Sequence, residues 1–296
     1  MDVTAAVFED HRVFEQHRGR LFGIAYRMLG EVGLAEDVVQ NAWLRWNAAD
    51  RDAVAEPGAY LATIATRLAI AELTSARARR EVYVGPWLPE PVDTSADPLL
   101  GAERAEALSM AVLVLLERLT PAERAAFVLH EAFDYPHARV AEVLETTEAN
   151  ARQLFSRAKK HLDAGRARAV SPAERDRLLG AFLAAAGAGD VTALEAVLAS
   201  DVVSVSDGGG QVLAARKEVG GRERVAQFLL GVLEKFGQGV TPVPVEVNGS
   251  PAMLGVRDGE PMAIWTVDVG ADGIHRIFIV LNPQKLSRFE APSHLS

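Results

Sequence analysis

The 296-residue sequence contains no cysteine, which removes disulfides, thiol nucleophiles and thiolate-bound zinc from consideration. Any metal site would rest on His and carboxylates, yet no two of His11, His17, His130, His137, His161, His275 and His294 stand four residues apart, the spacing of a helical metal pair. No metal site and no cofactor are expected. A run of about 20 apolar residues is also lacking, and the start, MDVTAAVFEDH, has neither a basic n-region nor an apolar h-region. No membrane contact is expected, and the chain is read as cytoplasmic.

Positive charge is scarce overall: 31 Lys and Arg face 40 Asp and Glu, for a formal net charge of −9. Nucleic-acid binders normally carry a basic footprint, and here it is local. Between Arg152 and Arg168 stand Arg152, Arg157, Lys159, Lys160, Arg166 and Arg168, opposed only by Asp163. A second cluster is Arg77, Arg79 and Arg80. An acidic protein with two confined basic patches can approach DNA through them while its remaining surface repels it, which suits guidance to DNA by a partner.

With 49% hydrophobic and 24% charged residues the composition is that of soluble globular proteins, and the length predicts two or three compact units. Residues 8–81 read as helical, with breaks at Gly30, Gly33 and Pro57-Gly58. Pro86, Pro89, Pro91 and Pro98 then mark an extended spacer. Residues 100–165 are helical again, with a start signal at Thr120-Pro121-Ala122-Glu123. After Ser171-Pro172 two helices, about 172–187 and 190–200, precede alternating β-type runs, with an amphipathic helix near 221–236 among them. The Asp258-Gly259 and Asp272-Gly273 pairs supply hairpin turns, so a curved antiparallel sheet packed on helices is predicted. The fold class is therefore multidomain: all-α units followed by an α+β unit.

The segment YPHARVAEVLETTEANARQLFSRAKKHLDAG has the plan of a helix-turn-helix. On its second helix Ala151, Leu154, Phe155, Ala158 and Leu162 form one apolar stripe. The other face carries Asn150, Arg152, Gln153, Ser156, Arg157, Lys159 and Lys160, a mixture able to read base edges and hold phosphates. Asn150, Arg152, Gln153 and Ser156, near the helix start, are the base-reading candidates. A solvated basic helix in an ordinary bundle would show the same spacing.

Here a family resemblance enters. TTEANARQLFSRAKKHL resembles region 4.2 of the extracytoplasmic-function (ECF) sigma factors, and the preceding LTPAERAAFVLHEAFDYPHARVAEVLE resembles their regions 4.1 and 4.2. The resemblance implies binding of the minus-35 promoter element. HRGRLFGIAYRMLGEVGLAEDVVQNAWLRWNAAD and PGAYLATIATRLAIAELTSARARRE resemble region 2. That implies Asp37 and Gln40 as contacts for the clamp helices of core RNA polymerase, a minus-10 base pocket in residues 47–58, and Arg67, Ser75, Arg77, Arg79 and Arg80 along a promoter-facing edge. Trp43 and Trp46 fall on the apolar face of their helix and are read as core.

Residues about 171–290 resemble the SnoaL-like branch of the nuclear-transport-factor-2-like cone. A SigJ-type group of ECF sigma factors joins such an extension to Asp-Gly-Gly-Gly-Lys, Asn-Pro-x-Lys-Leu and Trp-Leu-Pro-Glu-Pro motifs. This chain has Asp207, Gly208, Gly209 and Gly210; Asn282, Pro283, Lys285 and Leu286; and Trp87, Leu88, Pro89 and Pro91, with Gln211 departing from the expected Lys. The resemblance implies regulation in cis by interdomain contacts of these residues.

The resulting division is residues 1–85 (region 2, core polymerase and minus-10), 86–102 (Pro-rich linker), 103–168 (region 4, minus-35) and 171–290 (SnoaL-like, regulatory). The expected partners are core RNA polymerase, through clamp helices and flap, and promoter DNA, with the free chain monomeric and no catalytic residue assigned. A small-molecule ligand in the cone stays open. His275, alternating on a strand, reads as structural rather than as a general base. Two alternatives remain: a SnoaL-like small-molecule enzyme or sensor fused to a DNA-binding module, and a conventional helix-turn-helix repressor, which would have no use for Asp37 and Gln40.

Overall fold

A computed structural model of the chain describes residues 3–50, 53–95, 108–165 and 170–291, with the side chains of residues 3–10 and 172 excluded. The chain divides into two compact units. Among the described residues, 3–50, 53–81, 108 and 112–165 form the first; 82–95, 109–111 and 170–291 form the second. Residues 51–52 of the expected base pocket, 96–107 of the linker and the start of the following unit, Arg166 and Arg168 of the basic cluster, and His294 lie outside the described residues.

In the first unit α1 (Val3–Leu29), α2 (Val32–Asn47) and α3 (Pro57–Glu81) form a bundle. Gly30 ends α1 in a left-handed conformation, φ 70°, which glycine adopts without a Cβ penalty. On α2 Val32, Ala35, Val38, Val39, Ala42 and Trp46 are buried at helical spacing. Trp43 is half-buried, edge-on to Phe14 with centroids 4.9 Å apart, so both tryptophans lie at the packed side as the pattern predicts.

After α4 (Met110–Leu116) comes α5 (Pro121–Phe127), opened by a reciprocal capping box between Thr120 and Glu123 with Pro121 in the first turn. A π-helical turn, Val128–Ala132, follows. Then α6 (His137–Val143) and α7 (Glu148–Asp163) meet across a turn in which Glu145 has φ 52°. Thr147 caps α7 by accepting from the Asn150 amide, and Ala151, Leu154, Ala158 and Leu162 are buried.

The second unit begins with α8 (Pro172–Ala188), capped by Ser171 and closed by left-handed Gly189, and α9 (Val191–Val197). The second helix is shorter than predicted, because strand β1 (Leu198–Asp207) already starts at Leu198. Strand β2 (Val219–Gly220), α10 (Arg222–Phe236), β3 (Thr241–Val247), β4 (Ser250–Arg257), β5 (Glu260–Gly270), β6 (Gly273–Val280) and the short α11 (Pro283–Leu286) complete it.

The six strands run in the order β2-β1-β6-β5-β4-β3. The expectation of a wholly antiparallel sheet fails at one place: β1 and β6 pair in parallel, with Ser204 opposite Ile277 and Asp207 opposite Val280. The two strands are far apart in sequence, and the long crossover needed for parallel pairing is supplied by β2, α10 and the β3–β5 meander. The meander itself turns at Asn248-Gly249 and Asp258-Gly259, all four residues with positive φ, as type I′ hairpins require. Pro242 and Pro244 sit on β3, the last strand of the sheet order, a position that tolerates a missing N–H. Leu178, Phe182, Leu194, Val225 and Leu229 from the helices pack on Ile274, Ile277 and Ile279 of β6.

Residues 82–95 pack with this α+β unit rather than standing apart as a spacer. Asp93 bridges to Val247, and the Thr94 amide donates to the Glu246 carbonyl at 3.2 Å. The Asn248 amide donates to the Val92 carbonyl at 2.9 Å, and the Val92 amide to Asn248 Oδ1 at 3.1 Å. The linker is thereby pinned along the edge of β3.

Candidate functional site

On α2, Asp37 and Gln40 are exposed and one turn apart, as the sequence predicts. Asn41 donates from Nδ2 to the Asp37 carbonyl at 2.9 Å. Leu44, at 58% one of the most exposed large apolar residues described, lies on the same face by helical spacing. Sequence reasoning passed over Leu44; its position off the buried stripe was the available signal.

Most of the arginines on the polar edge of α3 bond to neighbouring helices of the same unit. Arg67 donates from Nε to the Val143 carbonyl at 3.0 Å and from Nη2 to the Glu142 carbonyl at 3.1 Å, and its Nη1 pairs with Glu145 at 2.9 Å. Arg77 donates to the Leu119 carbonyl. Arg80, nearly buried, pairs with Glu117 and with Glu31 and donates to the Leu29 carbonyl. Ser75 and Arg79 stay on the surface, where Arg79 bonds Ser75 and Glu72 of its own helix at 2.9 Å each.

The outer face of α7 is open. Gln153, Ser156 and Lys160 are exposed. Asn150 donates from Nδ2 to Thr146 Oγ1 at 2.9 Å, Arg152 pairs with Glu148, and Arg157 lies 3.7 Å from Glu123. Lys159 sits over the Phe155 ring at 5.9 Å. Beneath this face is a group the sequence did not single out: the rings of His130 and His137 stack with centroids 4.2 Å apart, and His130 meets Phe155 edge-on at 4.4 Å. Burial, then His130 and Arg152, holds the His137 imidazole below its ordinary pKa.

In the second unit the three motif segments converge on Asp207, which is fully buried. Its Oδ1 accepts from the Tyr83 hydroxyl at 2.6 Å and the Gly209 amide at 3.0 Å. Its Oδ2 accepts from the Leu88 amide at 2.9 Å and Lys285 Nζ at 2.8 Å. The Asp207 carbonyl accepts from the amides of Leu281 and Asn282. Lys285 also donates to the Leu88 carbonyl and lies over the rings of Trp87, 4.4 Å, and Tyr83, 5.2 Å.

Asn282 donates to the Tyr83 hydroxyl at 2.8 Å and caps α11, where Pro283 takes the first turn. Gly209 is left-handed, φ 60°, and a Cβ there would stand 2.4 Å from Asn282 Nδ2, so this position requires glycine. Pro89, Pro91 and Leu286 are buried, Gly208 is buried, and Gly210 is exposed. Tyr83 was missed in the sequence because its role depends on a partner 124 positions away. Gln211 is exposed. His275, on the interior strand β6, lies between Asp272, 2.7 Å, and Asp201, 3.3 Å. Among the described residues no group of three or more His, Asp or Glu side chains could hold a metal ion, and no helix is long and apolar enough to cross a membrane.

Residues 13–79 match the model of sigma-70 region 2, and residues 109–162 that of sigma-70 region 4. The chain is 40% identical, over 86% of its length and 90% of the relative's, to the ECF RNA polymerase sigma factor SigJ of Mycobacterium tuberculosis. It belongs to the ECF RNA polymerase sigma factors. The probable ECF sigma factor SigI of the same organism is 30% identical over 93% of this chain and 94% of its own. The crystal structure of M. tuberculosis SigJ superposes on this sigma factor with a TM-score of 0.77 and 37% identity, covering 93% of this chain and 97% of that one. The sigma factor thus consists of helical regions 2 and 4 and a carboxy-terminal mixed α/β sheet domain, with α1–α3 in region 2 and α6–α7 in region 4.

Proposed function

We propose that this sigma factor docks on core RNA polymerase through the α2 face of Asp37 and Gln40, with Leu44 as its apolar centre. In this reading the clamp helices take that face and the flap takes region 4. The α3 edge, Arg67, Ser75, Arg77, Arg79 and Arg80, serves the minus-10 side, and α7 reads the minus-35 element with Gln153, Ser156, Asn150 and Arg152, while Arg157, Lys159 and Lys160 hold phosphates. The observation that carries the reading is α7 itself: a capped helix with one buried stripe and an exposed face of mixed amide, hydroxyl and cationic groups. The chain performs no covalent chemistry in this reading and works in the cytoplasm, where polymerase is.

The carboxy-terminal domain, SnoaL-like in this reading, modulates activity in cis. Support comes from Asp207, where a buried carboxylate holds the Leu88 amide of the segment between the two sigma regions. Fixing residues 82–95 onto this domain shortens the free tether between regions 2 and 4, and tether length sets how readily both can engage a promoter at once.

Run-off transcription with core enzyme tests the proposal. The intact chain directs initiation, the Asp37→Ala, Gln40→Ala variant loses it, and Asp207→Asn changes its level. Initiation unaltered by the α2 substitutions removes the docking assignment, and unaltered output from Asp207→Asn removes the regulatory one. Substitution at Asp207 keeps the β3 edge that holds residues 92–94, which truncation after Ser171 would remove.

A further inference from the structure

We infer that Glu148 is a positioning residue for base selection at the minus-35 element: its carboxylate holds the Arg152 guanidinium ready for a guanine edge. The inference rests on the reading of α7 as the minus-35 helix and carries that reading to one base.

Helical spacing decides which groups face outward. With Ala151, Leu154, Ala158 and Leu162 buried, Ala149, Arg152, Gln153, Ser156 and Lys160 fall on the opposite side, and all five are exposed. In a docked helix-turn-helix the first residues of the second helix meet the base edges. Ala149 presents only a methyl there, so no long side chain screens the first turn from the groove. Arg152 is the one arginine within residues 148–155, and the Asn150 amide beside it is already bonded to Thr146 Oγ1.

Glu148 opens α7, and its Oε1 accepts from Arg152 Nη2 one turn later. An acidic residue four positions before a basic one is the favourable order on a helix, and the amino-terminal end of the dipole stabilises the carboxylate. Both side chains are exposed, so the pair adds little to the stability of the free chain. Its effect is on orientation.

An exposed arginine samples many rotamers and loses that freedom when it takes one geometry on a base. Bonding to Glu148 removes part of that freedom beforehand. The bond uses one N–H of Nη2. Whichever of its two hydrogens is taken, the planar guanidinium retains one complete pair of parallel N–H groups, the pair that fits guanine O6 and N7. Once the groove displaces water, the lower dielectric strengthens the same ion pair. The paired cation also offsets the repulsion between the carboxylate and the phosphates.

Two roles of Glu148 have to be told apart, stabilising the helix start and placing Arg152. Glu148→Asp keeps the first-turn charge but is one methylene shorter and falls short of Arg152. Glu148→Gln keeps the reach and an accepting oxygen.

Holoenzyme assembled from the full-length chain and core RNA polymerase can be used to select from duplex DNA carrying a randomised stretch, with the recovered sequences counted position by position. The unsubstituted chain should enrich guanine at one position by about five-fold or more over the other bases, and Arg152→Ala should abolish this. Glu148→Asp should bring the enrichment close to the Arg152→Ala level at that position alone, and Glu148→Gln should retain most of it. Thermal unfolding checks that each variant keeps region 4 folded. Enrichment that survives Glu148→Asp in full overturns the inference and leaves α7 as the reader. A further change at that position when Glu148→Asp is added to Arg152→Ala makes Glu148 a direct reader, which also overturns it. Sequences indifferent to Arg152→Ala remove Arg152 from the readers, and the inference falls with that assignment.

Discussion

Lys285 Nζ lies 2.8 Å from Asp207 Oδ2 in a site where the aspartate is wholly buried and the lysine nearly so. Four donors meet the two carboxylate oxygens, and the ammonium is roofed by Trp87 and Tyr83. A buried pair of this kind is hard to break by halves, because the surviving charge is left uncompensated.

Asp207→Asn should therefore destabilise the carboxy-terminal domain by about 3–5 kcal/mol, and Lys285→Met by a similar amount. The double variant should recover part of the loss, giving a coupling energy measurable by denaturant unfolding. Strictly additive losses would mean that the two charges do not depend on each other.

Gly209→Ala should destabilise by about 1 kcal/mol or more, since its φ of 60° disfavours a Cβ and the new methyl would press on Asn282. The same substitution at exposed Gly239, also left-handed but with Arg257 no nearer than 4.0 Å, isolates the backbone part of the effect. Thermal unfolding of the two variants compares them.

Region 4 should lose stability as pH falls. Burial first, then His130 and Arg152, holds the pKa of His137 in the folded chain below its ordinary 6.5. The unfolded chain then binds the extra proton, so the contribution is complete above about 6.5 and disappears as pH drops through the lower folded value. Thermal melts between pH 7.5 and 5 should reveal this slope, and His137→Phe, which preserves a ring against His130, should flatten it.

Replacing the exposed cation Lys160 by alanine should weaken promoter-fragment binding evenly across sequences and reduce the salt slope by about 1, whereas Gln153→Ala should relax preference at one base position. Binding titrations at several salt concentrations separate the two. Equal, sequence-independent losses from both would withdraw Gln153 as a reader.

What the sequence disclosed follows from the range of each interaction. The stripe Ala151, Leu154, Ala158 and Leu162 and the Thr120 box are local, set by helical spacing and capping within a few residues, and both stand where periodicity puts them. The motifs around Asp207 could be picked out as segments, but that the Leu88 amide and Tyr83 hydroxyl would occupy the carboxylate depends on contacts across more than a hundred positions. The arginines of α3 were visible as a basic edge; their acceptors are backbone carbonyls 42 to 76 residues away, and every residue type carries a carbonyl. The parallel pairing of β1 with β6 was hidden for the same reason, since alternation reports a strand's faces and not its neighbour.

The capture of residues 82–95 by the far end of the chain also sets a clock on synthesis. Leu88 must wait for Asp207 and then for Lys285, 119 and 197 residues later. At about 5–20 residues per second on the ribosome, that is an interval of roughly 10–40 s. Region 2 can fold from its start and region 4 once residue 162 has been made, while Leu88 still lacks Lys285, so a nascent sigma factor passes through a more loosely tethered state before its own last strand and α11 complete the pinning.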